Sequence, residues 1–346
     1  MSAERRPYFV AAGVVLACGC MLLAGILGTG LLRMLTQSAI PTPDFGATLQ
    51  TLISAPIASS VASTPTVVAA SGQPSGHIVL TCQIYKYQSS NQICIMNADG
   101  SGYRRLTAED GVQHYYPSLA PDGKSVIYSQ YREDNVYEIY EMSLIDGGAT
   151  RLTDKLGVLN SPEISPDGRS MVFMRWTPAS DQYQVWLMDR DGNRPRRAVS
   201  GTGWDPTWSP DGNRLLFASD RAGSSQLYIA DADGTGLHQI TDLPAIRGRS
   251  DWSPQDLVAT YSGEPWKHEL YVMKSDGSNP HEVAPPGGNS QGPSFSPDGG
   301  WIAFTAYIDK PHDDNGCEIY IMRTDGSDLR RLTNNEYCDY QPRWGP

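Results

Sequence analysis

Short apolar runs alternate with polar turn residues along most of the chain. Arg214–Ser219 and Gln226–Asp231 are two such runs, rich in Leu, Phe, Ile and Tyr, and the turns between runs carry Asp, Gly and Pro. Branched and aromatic residues favour strands, and the i, i+3, i+4 apolar spacing of a helix is absent from these runs. The pattern therefore predicts an all-β domain over residues 74–346.

The strand pattern repeats with a nearly constant period. Each repeat contains the phrase Pro-x-aromatic/apolar-Ser/Ala-Pro-Asp-Gly, and its turn prolines lie 45, 44, 44 and 43 residues apart, at Pro121, Pro166, Pro210, Pro254 and Pro297. A period in the forties filled with strands is typical of a β-propeller with one four-stranded blade per repeat. Six Asp-Gly hairpin turns, at 99, 146, 191, 233, 276 and 325, predict a six-bladed β-propeller.

The two ends of the repeat region complement each other. The segment that begins near His77 lacks the first strand of a blade, whereas Gln341–Trp344 resembles that first strand and stops at the turn. We expect the C-terminal strand to complete the blade begun at His77, because pairing the two segments removes two exposed sheet edges.

The repeat resembles the WD-like repeats of the TolB-type propellers. The resemblance rests on Pro-x-Trp-Ser-Pro-Asp-Gly, on strands such as Ile319-Tyr320-Ile321-Met322, and on closing Arg331-Leu332-Thr333 segments, and it covers about residues 74–346. Two departures stand out: Gln255-Asp256 replaces Asp-Gly in one repeat, and the α/β domain that precedes the TolB propeller has no counterpart. The resemblance implies binding of envelope proteins around a central funnel.

The N-terminal segment predicts a membrane anchor. Tyr8–Leu32 has no charged residue, and ~25 residues at 1.5 Å each can cross a bilayer. Two arginines precede this span, so residues 1–35 are predicted to be a cytoplasmic stub and signal anchor, with the propeller on the extracytoplasmic side. A lipoprotein signal ending at Cys18 and an ordinary cleaved signal are the alternatives. The Ser/Thr/Pro/Ala-rich residues 36–73 are predicted to be a flexible linker.

The net charge of the propeller region limits which classes of binding partner are expected. The chain has a formal net charge of −11, and residues 74–346 hold 24 of its 27 basic and 36 of its 38 acidic residues. An acidic domain argues against a nucleic-acid partner, which needs a basic surface. It permits a basic protein partner or divalent cations, although solubility alone explains it equally. We expect a monomer.

Four cysteines lie in the propeller region. If Leu80 faces Met96, Cys82 lies opposite Cys94, within disulfide range. Cys317 starts the third strand of the last blade and Cys338 precedes the closing strand, and we expect a second disulfide between them, since an extracytoplasmic compartment is oxidising. Buried free thiols are the alternative.

No catalytic signature has its required setting. Gly288–Gly292 matches G-x-S-x-G, but a nucleophile elbow needs a strand before it and a helix after it, and this match falls in a predicted loop. The six histidines are scattered, which does not support zinc. Oxygen ligands for Ca²⁺ could come from an acidic loop with Asp309, Asp313, Asp314 and Glu318, although a solvated loop explains it as well. We otherwise expect no cofactor.

Irregular loops on one face of the propeller are the expected binding surface. Rigid scaffolds with divergent loops commonly bind partners, and Tyr, Trp and Arg often anchor interfaces. The predicted partner-binding residues next to the funnel are His114, Tyr115, Tyr116, Trp204, Asp205, Arg247, Arg249, Tyr337, Asp339 and Tyr340. Packing of these aromatic residues between blades is the alternative.

Three functional hypotheses follow. The first is a membrane-anchored extracytoplasmic propeller that binds or scaffolds envelope proteins. The second is an enzyme or a metal-dependent carbohydrate-binding or lyase-like propeller, with its site in the funnel. The third is a structural propeller stabilised by Ca²⁺. Fold alone does not choose among them.

Overall fold

The structure is a computed structural model that describes residues 72–84, 90–108, 111–309, 313 and 316–346. These residues form 24 β-strands. In chain order they are β1 His77–Gln83, β2 Asn91–Asn97, β3 Arg104–Arg105, β4 His114–Leu119, β5 Ser125–Glu133, β6 Val136–Ser143, β7 Ala149–Arg151, β8 Val158–Ile164, β9 Ser170–Trp176, β10 Gln184–Asp189, β11 Arg196–Arg197, β12 Trp204–Trp208, β13 Arg214–Ser219, β14 Gln226–Asp231, β15 His238–Gln239, β16 Asp251–Trp252, β17 Leu257–Ser262, β18 Glu269–Lys274, β19 His281–Glu282, β20 Gln291–Phe295, β21 Trp301–Ala306, β22 Glu318–Arg323, β23 Arg330–Arg331 and β24 Asp339–Gly345.

The strands form five hydrogen-bonded sheets. Four sheets have four strands each, in the orders β24-β1-β2-β3, β12-β13-β14-β15, β16-β17-β18-β19 and β20-β21-β22-β23. The fifth sheet has eight strands, in the order β11-β10-β9-β8-β6-β5-β4, with β7 also paired to β6. Strands that follow one another within a repeat pair antiparallel, as the short turns between them require.

The predicted six separate blades are therefore corrected. The described residues contain four independent four-stranded blades instead of six, because the strands of the second and third repeats share one sheet. The junction is a single parallel pair, Tyr137 with Val158, and the Tyr137 N–H donates to the Gly157 carbonyl over 3.0 Å. It forms because β6 is longer than β7, which leaves the start of β6 without an antiparallel neighbour.

The helical part of the predicted fold class is also wrong for the structure as described. The described residues contain no α-helix, and none of their segments is a helix with the length and apolarity needed to cross a bilayer. The predicted span Tyr8–Leu32 and the linker up to residue 71 lie outside the described residues. The observed fold class is an all-β propeller.

The C-terminal strand completes the first sheet. β24 pairs antiparallel with β1, with Trp344 opposite Ile78 and Asp339 opposite Cys82. The Trp344 indole N–H donates to the Ser75 carbonyl over 2.8 Å. The strand from the end of the chain thus supplies the inner edge that the first segment lacks, as the sequence predicts.

The Ser-Pro-Asp-Gly phrase forms a tight turn between the first and second strands of a repeat. In the turn between β12 and β13 the Gly212 N–H donates to the Ser209 carbonyl, and the Asp211 carboxylate accepts the Asn213 N–H. The equivalent turn between β16 and β17 has Asp256 in place of this glycine, and Asp256 adopts a φ of 61°. Asp tolerates this left-handed conformation better than most residues but at some cost.

The core lies between neighbouring sheets. The closing sheet packs Ile78, Leu80 and Met96 against Trp301 and Ile319 of the preceding sheet. Equivalent clusters separate the other sheets, so each sheet is buried on both faces. The candidate site is carried by the inner strands of the sheets, which are β4, β8, β12, β16, β20 and β24.

Candidate functional site

Inner-strand residues between the phrase proline and the aromatic position converge on one another. Arg343 of β24 contacts Glu163 of β8 over 3.3 Å and Asp251 of β16 over 3.0 Å. Thr207 donates to Glu163 over 2.9 Å, and Ser294 donates to Asp251 over 3.0 Å. We call Glu163, Thr207, Asp251, Ser294 and Arg343 the axial cluster. It joins five inner strands through charged and hydroxyl groups.

The axial cluster is largely buried, and its charged groups shift one another's pKa values. Burial raises the pKa of Glu163, while Arg343 opposes this effect. Burial alone would lower the pKa of Arg343, but Asp251 and Glu163 outweigh it, so the pKa of Arg343 is raised. A buried ion group is stable only when every charge keeps its partner. The axial cluster is therefore a set of mutually paired polar groups inside the propeller rather than an open binding site.

The residues just before the first proline of the repeated phrase form a second layer beside the axial cluster. The pairing of inner strands β4, β8, β12, β20 and β24 with their neighbours carries a register shift there, whereas the pairing of β16 does not. Tyr116, Ser161, Asp205 and Gln341 have φ values of 54°, 52°, 49° and 56°. Strained backbone of this kind is kept where surrounding structure demands it, often at functional sites. The equivalent position of β16 holds Arg249.

Arg249 is buried without a counter-ion among the described residues. Only 5% of it is exposed, and both terminal nitrogens lie 3.4 Å from the Pro117 carbonyl, while its Nε has no hydrogen-bond partner in the described part of the chain. Its guanidinium stands 5.7 Å from the Tyr116 ring centroid. Burial, with the nearby charge of Arg343, lowers the pKa of Arg249 to about 9.

Asp205 is close to Arg249 but does not pair with it. Its carboxylate accepts the Ser161 hydroxyl, and burial raises the pKa of Asp205 although Ser161 and Arg249 oppose this. Asp205 and Glu163 favour the charged form of Arg249, but neither forms a salt bridge with it within the described residues.

Seven tyrosines surround this level. Tyr340 donates to the Asn91 side chain over 2.9 Å, and the Asn91 amide donates to the Tyr115 hydroxyl over 3.0 Å. Tyr115 and Tyr137 have ring centroids 6.1 Å apart. All seven are partly exposed, and we call them the tyrosine cluster: Tyr115, Tyr116, Tyr137, Tyr183, Tyr261, Tyr307 and Tyr340.

These tyrosines lie close enough together to raise the pKa values of one another's phenol groups. Burial raises the pKa of Tyr137 to about 12, with Tyr115 the next cause. Burial raises the pKa of Tyr340 far above its usual value, and Tyr115, Tyr116 and Tyr307 add to the effect. Tyr137 and Tyr340 are therefore neutral at physiological pH, and the tyrosine cluster presents aromatic surface around the buried Arg249.

The structure separates the predicted partner-binding residues into two groups. Tyr115, Tyr116, Asp205, Arg249 and Tyr340 are brought together around the centre. The other five make other contacts: His114 packs on Tyr128, Trp204 packs on a core cluster, the Tyr337 N–H bonds to Asn335, and Asp339 is buried beside Tyr103. Arg247 donates to the Gly263 carbonyl, although it lies near Tyr261 of the tyrosine cluster.

Four members of the tyrosine cluster were missed by the sequence analysis. Tyr137 begins β6, Tyr183 precedes β10, Tyr261 lies near the end of β17 and Tyr307 follows β21. Each stands where a second strand ends or a third strand begins, which is the same face of the propeller. Tyrosines at these strand ends, rather than only in the loops between repeats, are the signal that could have found them.

Two residues of the predicted acidic Ca²⁺ loop share a cation of the chain itself. Arg331 contacts Asp309 over 2.6 Å and Glu318 over 2.8 Å. Glu318 also accepts the Thr333 hydroxyl and the Asn335 N–H. Asp313 is described, whereas Asp314 lies outside the described residues. Among the described residues no group of three or more His, Cys, Asp or Glu is arranged to hold a metal ion.

The structure bonds Cys82 to Cys94 and Cys317 to Cys338, the two pairs expected from the sequence, with Cα–Cα distances of 5.8 and 4.6 Å. The expected register is wrong by two residues, since Met96 faces Ile78 and Cys94 faces Leu80. The first disulfide therefore runs diagonally across the β1–β2 pair. Both bonds lie beside the closing strand β24.

The G-x-S-x-G match lies between two short strands. Ser290 is buried in the loop from β19 to β20, and its Oγ has no hydrogen-bond partner among the described residues. β20 follows it in place of the helix that a nucleophile elbow requires. The setting is that of a loop between repeats.

Comparison with known proteins agrees with this architecture. The sequence family described as "TolB beta propeller domain" matches residues 157–263. The solved structure of TolB from Acinetobacter baumannii superposes with a TM-score of 0.68 at 23% identity, covering 80% of this chain and 68% of that one. Residues 157–263 are thus similar in sequence to the TolB propeller domain, and the described propeller shares the fold of the solved TolB structure.

Curated relatives share only part of their length with this TolB-type propeller. The Tol-Pal system protein TolB of Francisella tularensis is 30% identical over 146 residues, which are 42% of this chain and 33% of that protein. The uncharacterized peptidase YuxL of Bacillus subtilis is 27% identical over 214 residues, with 47% of this chain and 32% of that protein covered. The chain thus spans about a third of each.

Proposed function

We propose that the propeller binds a protein of the cell envelope through the tyrosine cluster, with the N-terminal segment tethering it to the extracytoplasmic side of the membrane. The observation that carries the proposal is the concentration of seven partly exposed tyrosines around one buried arginine on a single face. Tyr and Arg dominate the binding energy of protein interfaces because they combine large contact area with directed polar groups.

The similarity to TolB supports this choice over an enzymatic role. A relative named for the Tol-Pal system is 30% identical to this chain over 146 residues, and Ser290 of the G-x-S-x-G match lies in a loop instead of on a nucleophile elbow. The acidic propeller favours a partner with a basic contact surface, since opposite charges steer association.

Photo-crosslinking in cells tests the proposal. A photoreactive amino acid placed at Tyr115 or Tyr340 of the full-length chain is expected to crosslink one defined envelope protein. The same amino acid at Lys124, exposed in the Ser/Ala-Pro-Asp-Gly turns of the opposite face, is the matched control and is expected to give no such product. Equal crosslinking from Lys124, or none from either tyrosine, would overturn the proposal.

A further inference from the structure

Arg249, at the base of the tyrosine cluster, has the features of an anion-binding residue. Arg343 and Arg249 are equally buried, yet Arg343 contacts two carboxylates and Arg249 contacts none within the described residues. A buried guanidinium normally has a carboxylate partner, since an uncompensated buried charge is costly. Both terminal nitrogens reach only a carbonyl, at the long distance of 3.4 Å.

The geometry of Arg249 leaves one edge of its guanidinium for a ligand. The Nε has no partner among the described residues, although it is buried from solvent. Nε and one terminal nitrogen together form the fork that accepts both oxygens of a carboxylate. A single positive charge matches a carboxylate better than a phosphate dianion.

The surroundings favour a peptide as the carrier of that carboxylate. Tyr116 and Tyr261, unlike Arg249, are partly exposed, and we expect access between them. The hydroxyls of Tyr115 and Tyr340 are both engaged by Asn91, so these tyrosines offer ring surface more than polar groups. Such surface suits apolar side chains, whereas sugars need several unengaged polar groups for their hydroxyls.

We propose that Arg249 binds a carboxylate of the peptide ligand that the tyrosine cluster holds, carried either by the C-terminus of that ligand or by an Asp or Glu side chain. This proposal rests on the proposed function and specifies the chemistry of the same site.

Calorimetric titration of the full-length chain in detergent at pH 7 tests the proposal with defined probes. Acetyl-Gly-Gly-Phe with a free carboxylate is compared with its C-terminal amide, which differs only in the charge. Acetyl-Gly-Glu-Phe-amide tests the side-chain source, and a glucuronic acid disaccharide tests a sugar acid. We expect the free carboxylate or the glutamate peptide to bind ~10-fold or more tighter than the uncharged amide, as for hydrogen bonds to charged groups.

Variants assign the effect to Arg249. Arg249→Met keeps the apolar stem and is expected to abolish the carboxylate preference, while Arg249→Lys keeps the charge and part of the preference. Arg196→Met, at an exposed strand of the third repeat, is the matched control and is expected to change nothing. Near-ultraviolet circular dichroism of each variant checks that the fold is retained.

Each outcome decides the matter. Equal binding of carboxylate and amide, absence of binding by every peptide, or binding of the sugar acid alone would overturn the proposal, and these comparisons use the unaltered chain. If crosslinking from Tyr115 persists while Arg249→Met leaves partner capture unchanged, the carboxylate proposal fails and the proposed function stands. If crosslinking also fails, the proposed function fails with it.

Discussion

Asp339 on the closing strand is expected to make the stability of the propeller depend on pH. Its side chain is wholly buried, where it accepts the Tyr103 hydroxyl over 3.2 Å and the Asn335 amide over 2.9 Å. Burial, followed by the nearby charge of Glu318, raises the pKa of Asp339 from 3.8 to about 7. The folded protein therefore holds a proton at pH 5 that the unfolded chain has released.

The sign and size of the effect follow from this difference. A raised carboxyl pKa stabilises the fold at low pH, and that stability is lost as pH rises from about 4 to above 7. At ~1.4 kcal/mol per pKa unit, ionising Asp339 costs up to ~4 kcal/mol at pH 8. Asp339→Asn removes the charge but makes Asn335 reorient its amide, so we expect a net gain of ~1–3 kcal/mol, or ~2–6 °C in Tm.

Calorimetric melting of the full-length chain at pH 5 and pH 8 measures this effect. The quantity to follow is the Tm of the variant minus that of the wild type, because other titrating groups cancel in it. We expect a difference near zero at pH 5 and a clear gain for Asp339→Asn at pH 8. Asp233→Asn is the matched control, since hydrogen bonds from Thr235 lower the pKa of that exposed carboxyl, and it should bring no gain at pH 8. A difference for Asp339→Asn that does not change between the two pH values would refute the reasoning.

Three further perturbations test the architecture. Deleting Tyr340–Pro346 removes most of β24, so we expect loss of the folded monomer by sedimentation and circular dichroism, and a monomer with unchanged melting would contradict the observed closure. Asp256→Gly relieves the left-handed φ in the fourth turn and should raise the unfolding free energy by ~0.5–1 kcal/mol in urea; a loss would show that the carboxylate matters more than the backbone. Arg343→Met leaves Glu163 and Asp251 buried without a cation, and urea unfolding should show a loss of ~3–5 kcal/mol, whereas a change below ~1 kcal/mol would mean that the axial cluster is not structural.

The axial cluster and Arg249 serve different purposes although they lie close together. The cluster satisfies its own charges and ties inner strands to one another, so a change there is expected to alter stability. Arg249 keeps an unpaired edge, so a change there is expected to alter ligand binding first. Comparing Arg343→Met with Arg249→Met in both melting and calorimetric binding separates these two roles.

Local chemistry in the chain was sufficient to predict several features. Asp-Gly and Ser-Pro-Asp-Gly turns follow from backbone preferences of single residues, and the period of the phrase predicts a propeller. The unmatched strand at Gln341–Trp344 predicts its pairing with β1, because an unpaired inner edge has only one equivalent partner in a repeating fold. The TolB-type resemblance rests on the same local phrase.

Other features depend on contacts between residues that are far apart in the chain. The register of β1 against β2 places Leu80, not Cys82, opposite Cys94, since pairing is set by the whole strand and its turn. Fusion of the second and third repeats depends on the length of β6 relative to β7. Neither the register of two strands nor their relative length can be predicted from a single apolar run.

The candidate site shows the same division most clearly. The position between proline and tryptophan varies between repeats as Glu163, Thr207, Asp251, Ser294 and Arg343, and in the linear chain these residues look like solvent-facing polar residues. Only closure of the sheets into one propeller brings them within hydrogen-bond distance, where burial makes each charge depend on the others. Arg249 becomes a candidate receptor for the same reason: its lack of a counter-ion is a property of the space around it, which no local sequence pattern encodes.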